Sequence, residues 1–377
     1  MVKPSGQLAS LIKARKDGGL LADIHTHVLR KAGEPSDRRQ DVIHPSEMAK
    51  NDWCPRQTFY RIRDARAGLI IPAEQHSVDT LLIFKEGDHA HTKWQRWLDE
   101  MGELWGRWRC LHCDHLHKAI TPRPEACARC GSRAIKYAEV PLWADDLPIS
   151  GSADGYLPGR RTLVEIKTIG KGTVRLDDPD LLRQHTYKTA GKTLVDLDGL
   201  WASLSRPLKS HVKQGCIYHW LARQRGLHVD TVTYLYEFKL NQRTRSFEVR
   251  LSDRVLLPLL KKAAEIRDAL DHGGPIPERA HTNPTTRPCA TCMWASECWK
   301  DDAEDRTEPG HRRRLAAAGG EARPRTRRVV RAGTPRRPAA PAAGGHHGAG
   351  RPAADDALPG ADGVERVLRR AARPREG

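Results

Sequence analysis

Asp154 closes the tetrad Gly151-Ser152-Ala153-Asp154, and after ten intervening residues comes Glu165-Ile166-Lys167. If residues 162–168 form a strand, Glu165 and Lys167 project from one face and Ile166 from the other. Asp154, on the neighbouring strand of the same hairpin, then meets Glu165 across the turn. Two carboxylates and an amine at one sheet edge are costly unless something compensates their charge. A hard divalent cation, Mg2+ or Mn2+, does so through carboxylate oxygens. A lysine beside the metal-bound water can orient it or stabilise developing charge. The arrangement suits hydrolysis of a phosphodiester. An ExK tripeptide is common on exposed strands, so its weight comes from its company. Gly87 to His91 lies upstream on a predicted helix and offers an imidazole. Gln214 and Tyr218, four residues apart, share one face of a predicted helix downstream.

The nine cysteines form two sets with one left over. Cys110-x2-Cys113 and Cys127-x2-Cys130 have the spacing of the paired knuckles of a zinc ribbon. His112, His115 and His117 are alternative ligands, but four cysteines suffice. Arg107, Arg109, Lys118, Arg123, Arg129, Arg133 and Lys136 lie nearby and could grip phosphate; a purely structural mini-domain is the other reading. Cys289, Cys292 and Cys298 stand near the end of the cysteine- and tryptophan-containing body, and Cys54 near its start. Four thiolates hold either zinc or an iron–sulfur cluster, and thiolate chemistry alone does not choose. Both spacings fit metal ligation better than disulfides. Cys216, between Gln214 and Tyr218, is expected to be buried packing.

Elements that position these residues can be read from periodicity. A short basic helix is predicted over 7–17 and a longer one over Ser77–Met101, with Leu81, Leu82, Trp94, Trp97 and Leu98 as a core stripe. Tyr137–Trp143, Ile149–Tyr156 and Thr162–Thr168 read as strands, the last two joined at Pro158-Gly159-Arg160. His211–Arg225 reads as a helix stopped by Gly226. Val229–Lys239 and Arg245–Leu251 alternate like paired strands around Asn241-Gln242. A helix follows from Ser252 or Asp253 to about Leu270, ended by Gly273-Gly274-Pro275. No internal repeat is visible.

The chain has 377 residues and a formal net charge of +17, which favours a polyanionic partner. About half of that charge, +9, lies in residues 307–377, an Ala/Gly/Pro/Arg-rich tail without Lys, Cys or aromatic residues. Such a segment is expected to be disordered except for a short helix near Val364–Ala372. It is either a basic arm for DNA or an extension of no role. No apolar run is long enough for a transmembrane helix or a signal peptide, so a cytoplasmic protein without a membrane partner is expected. Two local matches are discounted. Asp23-Ile24-His25-Thr26-His27 looks like the metal-binding start of an amidohydrolase or PHP phosphoesterase, but no downstream ligand series follows. Gly191-Lys192-Thr193 ends like a Walker A loop, but Thr186 stands where the first glycine is required. No motor is indicated.

With these residues in place, the sequence resembles the RecB-like branch of the PD-(D/E)XK nuclease superfamily. The pattern is GxxxH (Gly87 to His91), GxxD (Gly151 to Asp154), ExK (Glu165 to Lys167) and QxxxY (Gln214 to Tyr218). The resemblance implies that His91, Asp154, Glu165 and the carbonyl of Ile166 ligate Mg2+ or Mn2+, with Asp154, Glu165 and Lys167 catalytic. It favours His91 over His89, and it implies that Gln214 and Tyr218 orient the site and touch DNA. Nucleases of the CRISPR-associated Cas-four type, and the AddB subunit, carry one cysteine before this core and three after it, holding a 4Fe–4S cluster. By this resemblance Cys54, Cys289, Cys292 and Cys298 form an iron–sulfur staple, and the lead-in Pro45-Ser46-Glu47 with Cys54-Pro55-Arg56 is similar to that subgroup's.

The implied fold is α/β: a restriction-endonuclease-like core, a central mixed sheet flanked by helices, with an inserted zinc ribbon and the iron–sulfur staple. The expected organisation is an extension over 1–41, a nuclease domain over 42–306 with the ribbon at 105–137, and the tail over 307–377. The implied function is a metal-dependent DNA exonuclease acting on ends, single-stranded by preference and 5′ to 3′. The implied cofactors are Mg2+ or Mn2+, a 4Fe–4S cluster and Zn2+. Recombination, CRISPR or phage replication proteins are the partners the resemblance suggests, and a phage source, with action in the host cytoplasm, is in keeping with it. The rival readings are a non-catalytic DNA-binding protein with metal scaffolds and an accessory end-processing subunit of a recombination or CRISPR-adaptation complex.

Overall fold

A computed structural model describes residues 19–34 and 38–305, with side chains to residue 300. The helices predicted over 7–17 and 364–372, and the tail, lie outside the described residues. The described chain divides into two units, 19–283 and 284–305.

In the first unit, helices α1 (Leu20–Ala32), α2 (Pro45–Met48), α3 (Pro55–Arg66) and α4 (Val78–Glu100) precede the first strand. Strands β1 (Gly106–Cys110), β2 (Leu116–Thr121) and β3 (Ile135–Tyr137) form a three-stranded sheet in the order β2-β1-β3. Strands β4 (Val140–Trp143) and β5 (Ser150–Ala153) pair antiparallel. Strands β6 (Gly155–Leu157) and β7 (Thr162–Ile169) form the hairpin read from sequence, with a 3-10 turn at Pro158–Arg160. Beyond it come α5 (Lys171–Asp177), α6 (Pro179–Gln184), the hairpin β8 (Thr186–Thr189) with β9 (Lys192–Val195), and α7 (Leu197–Ser203). Helix α8 (Lys209–Gln224) then leads into β10 (Thr231–Phe238), β11 (Thr244–Arg250) and α9 (Asp253–Asp271). The second unit holds a 3-10 turn at Cys289–Thr291 and α10 (Ala295–Asp305).

The central sheet has the order β11-β10-β7-β6, with β7 and β10 parallel and its other pairs antiparallel. A parallel pair needs a crossover, and α8 supplies it. The alternation of β7 decides what covers each face. Val164 and Ile166 pack with Leu98, Leu104 and Leu157, and with Trp94 and Leu235, on the α4 side. Glu165 and Lys167 lie opposite Tyr234 and Tyr236 of β10 on the other face. There α8 sits close: a Cβ on Gly215 would meet the Tyr234 hydroxyl at 1.8 Å, so only glycine fits under that ring.

Three expectations are revised. The Trp stripe of α4 is only part core, since Leu82 and Trp97 stay 46% and 45% exposed. Trp97 packs edge-on against Trp94, the residue that reaches the sheet and donates to Glu237 at 2.8 Å. The strand read over 137–143 is broken at Ala138-Glu139, and the one read over 149–156 is broken at Asp154. The discounted motifs stay discounted. Gly191-Lys192-Thr193 turns the β8–β9 hairpin, and His25 and His27 lie two apart on a helix, where they cannot share a face.

The lead-in Pro45–Glu47 has a structural use. Glu47 accepts from Thr58 at 2.5 Å and from Arg61 at 2.8 Å, and Arg61 also donates to the Val42 carbonyl at 3.0 Å, tying the segment before α2 to α3.

His219 on α8 is buried, and burial, followed by the charge of Arg223, lowers its pKa below the usual 6.5. The unfolded chain therefore binds this proton where the folded one does not, so its contribution falls as pH drops below about 6.5. His219→Leu is expected to lose less stability than the wild type between pH 8 and 5.5. Urea unfolding at both values checks this, and equal losses would show that the imidazole is no less basic in the fold.

Candidate metal centre

Strand β6 begins at Gly155, opposite Val164, so among the described residues β7 has no strand partner on that side from Glu165 onward. Asp154 takes that place. Its Oδ2 accepts the Ile166 N–H at 2.6 Å, a short charge-assisted bond. In an extended strand the N–H and C=O of one residue point to the same side, so the Ile166 carbonyl faces the same edge.

His91, on α4, brings Nδ1 to 3.3 Å from Asp154 Oδ1, whereas His89 is exposed. Burial works against the charged imidazole, but the hydrogen bond and charge of Asp154 outweigh it and raise the His91 pKa. Gly151 is required by what approaches it. A Cβ there would meet Pro45 at 2.9 Å and Tyr218 at 3.2 Å, both tighter than ordinary contact.

Glu165 is only 2% exposed. Its Oε1 pairs with Lys167 Nζ at 2.6 Å, while its Oε2 is buried without a hydrogen-bond partner. Burial pushes its pKa up to about 7, with Asp154 adding to the rise and Lys167 opposing it. For Lys167 burial disfavours the ammonium, but Glu165 and Asp154 outweigh burial and hold it above its ordinary value. The lysine therefore stays charged, and Glu165 Oε2 is left without a hydrogen-bond partner among the described residues.

Gln214 and Tyr218 are both buried, and Gln214 donates to the Tyr218 hydroxyl at 3.3 Å. Burial, then the nearby charge of Glu165, keeps that phenol well above its usual pKa.

One residue escaped the sequence reading. Glu139, His91 and Asp154 offer ligand atoms all within 4.8 Å of one another. Val140 pairs with Ala153, so the next position in register sets Glu139 against Asp154. Glu139 has φ 59°, the left-handed region that a non-glycine residue avoids without compensation. Burial and then the charge of Asp154 raise its pKa. The signal was the antiparallel pairing itself, which predicts opposed carboxylates where like charges are unfavourable. Two carboxylates and an imidazole so close together fit a hard divalent cation; Glu165 lies outside that 4.8 Å group. Glu139→Gln is expected to weaken Mn2+ binding by about 10- to 100-fold. Calorimetric titration checks this, and unchanged affinity would remove Glu139 from the centre.

The four-cysteine set is brought together. Cys110 and Cys130 sulfurs lie 3.6 Å apart and Cys113 and Cys127 sulfurs 3.7 Å apart. Those are edges of a tetrahedron about a metal, whose 2.3 Å bonds to sulfur imply edges of roughly 3.8 Å. A disulfide needs about 2.05 Å. His112 and Arg129 donate backbone N–H to the Cys110 and Cys127 sulfurs at 3.4 Å each. Backbone N–H groups, that of Cys113 first and that of His112 also, pull the Cys110 thiol down to about 6, which favours the ligating thiolate. Cys54 is buried at the start of α3 in the first unit, while Cys289, Cys292 and Cys298 belong to the second. Cys216 is buried, as expected for packing. Among the described residues no helix is long and apolar enough to cross a membrane.

No family model matches the chain, and no curated protein does. Solved structures similar at low identity include the following three. The crystal structure of SSO0001 has 13% identity and a TM-score of 0.34, covering 74% of this chain and 96% of that one. An alkaline exonuclease (LHK-Exo) from Laribacter hongkongensis has 10% identity and a TM-score of 0.35, covering 66% and 93%. The same exonuclease in complex with dAMP has 10% identity and a TM-score of 0.34, covering 62% and 90%.

Proposed function

We propose that this protein is a Mg2+- or Mn2+-dependent DNA exonuclease of the RecB-like type, acting on ends, with single-stranded DNA its main substrate and 5′ to 3′ its direction. The observation that carries the reading is the group of His91, Asp154 and Glu139, whose ligand atoms lie within 4.8 Å of one another, with the buried Glu165–Lys167 pair on the strand to which Asp154 is bonded. His91, Asp154, Glu165 and the Ile166 carbonyl would hold the ion, with Glu139 next to them. When bound, the ion supplies Lewis acidity to the scissile phosphate and lowers the pKa of the attacking water. Lys167 keeps its ammonium charged, and in this reading it orients the water and stabilises charge developing on phosphate oxygens. Glu165 fixes that ammonium. Gln214 and Tyr218, both buried and close enough for Tyr218 to feel the charges of Glu165 and Asp154, keep bulk water from the carboxylates.

Zn2+ is proposed for Cys110, Cys113, Cys127 and Cys130, and a 4Fe–4S cluster for Cys54, Cys289, Cys292 and Cys298. Anaerobically purified protein should then contain about one zinc and be brown. Recombination or CRISPR proteins are proposed partners. The test is digestion of end-labelled single- and double-stranded DNA with Mg2+, Mn2+ or chelator. Loss of label from one end, only with metal, is expected. Metal-independent cutting, or none on any substrate, overturns the reading.

A further inference from the structure

Arg107 donates its backbone N–H to the Glu139 carbonyl at 2.9 Å, and Ala138 donates to the Arg107 carbonyl at 2.8 Å. The cysteine ribbon therefore runs into the metal centre without a break in hydrogen bonding. Its two faces differ. Trp108, Cys110, Cys127 and Ile135 fill one side, and strand alternation turns Arg107 and Arg109 to the other. Arg109 lies directly opposite Lys136 on β3 and Leu116 on β2. Lys136 shares its face, and so does Lys118, two residues beyond Leu116. Lys118 and Lys136 are exposed, as are Arg129 and Arg133 near the second knuckle.

Among the described residues no ion pair engages Lys118, Lys136, Arg129 or Arg133. Arg109 pairs with the exposed Asp114 at 3.0 Å, and Arg107 Nε donates to the Lys118 carbonyl at 3.1 Å. From residue 105 to 137 there are seven basic and two acidic residues. A zinc tetrathiolate carries a formal charge of −2, which still leaves the ribbon positive. Cations without partners on one sheet face, continuous with a phosphate-reactive centre, match a polyanion laid along the strands.

We infer that this outer face of the ribbon is a track for the sugar–phosphate backbone of a DNA strand whose end lies in the metal centre. The placement of the end rests on the nuclease reading; the binding itself does not. The test is binding of a fluorescein-labelled single-stranded 30-mer across a salt series without added divalent metal. The variant K118E/R133E/K136E removes three exposed charges whose side chains make no hydrogen bond or ion pair among the described residues. A control variant, R250E/R254E/K261E, makes the same charge change at exposed positions on β11 and α9. The ribbon variant is expected to bind at least about tenfold more weakly near 0.1 M salt, with a log–log salt slope shallower by about 2. Zinc content should equal the wild type's, and the control should bind like the wild type. If charge reversal costs zinc, K118A/R133A/K136A is read by the same slope criterion. A ribbon variant with the wild-type slope, a control that loses as much, or a wild type that does not bind overturns the track. A wild type that binds in this way yet never cuts with Mg2+ or Mn2+ strikes the nuclease reading alone.

Discussion

Lys167→Ala is expected to abolish metal-dependent DNA cleavage, lowering the rate by at least about 100-fold, while DNA binding survives. The reasoning is geometric. Lys167 Nζ sits 2.6 Å from Glu165 Oε1, on the strand face that also carries the orphaned Glu165 oxygen. Removing one member of a buried pair can cost about 3–5 kcal/mol of stability by stranding the other charge. Here the cost should be smaller, because Glu165 is already poised near 7 and takes up a proton. Two further variants separate fold from chemistry. Asp154→Asn keeps an oxygen acceptor for the Ile166 N–H, and Glu165→Gln keeps the volume at a buried position. Both should fold, bind DNA and fail to cut. Single-turnover assays on end-labelled DNA with matched binding curves decide, and retained cutting by clean Lys167→Ala protein would sink the mechanism.

Cys110→Ser and Cys127→Ser are each expected to remove the ribbon's metal and melt the ribbon. The mini-core there consists of Trp108, Cys110, Cys127 and Ile135, so two of its four members are ligands. Structural zinc sites contribute about 10–16 kcal/mol of binding free energy in small domains, far more than so few apolar contacts supply. The damage should spread. Glu139 lies two residues past the end of β3, and its carbonyl accepts the Arg107 N–H of β1. A melted ribbon would release Glu139 from its left-handed conformation and weaken Mn2+ binding at a distance from either cysteine. Metal analysis and Mn2+ titration of the same preparations check both effects. A variant that retains one zinc per chain and native Mn2+ affinity would contradict the account.

Much of the site was legible because strand and helix periods place residues without tertiary information. Glu165 and Lys167 share a face by alternation, and Gln214 meets Tyr218 by the helical repeat, as the 3.3 Å bond between them shows. The ribbon was legible because ligand spacing is a local property of two knuckles. What escaped lay where local rules are broken. Alternation reads 137–143 and 149–156 as continuous strands, yet each breaks at an acidic residue, Glu139 and Asp154. Those breaks turn the carboxylates toward His91, and propensity alone cannot anticipate a residue at φ 59°. The exposure of Leu82 and Trp97 was illegible for another reason: an apolar stripe says which face is sticky, not how much sheet lies beneath it.

The central claim is a divalent-metal centre at the β6 edge of β7. Its most direct test is anomalous scattering from a crystal soaked in Mn2+. The account expects one strong peak about 2 Å from the His91 imidazole and from carboxylate oxygens of Asp154 and Glu165 or Glu139. No peak there from a crystal of protein that degrades DNA with Mn2+, or a peak only elsewhere, would contradict it.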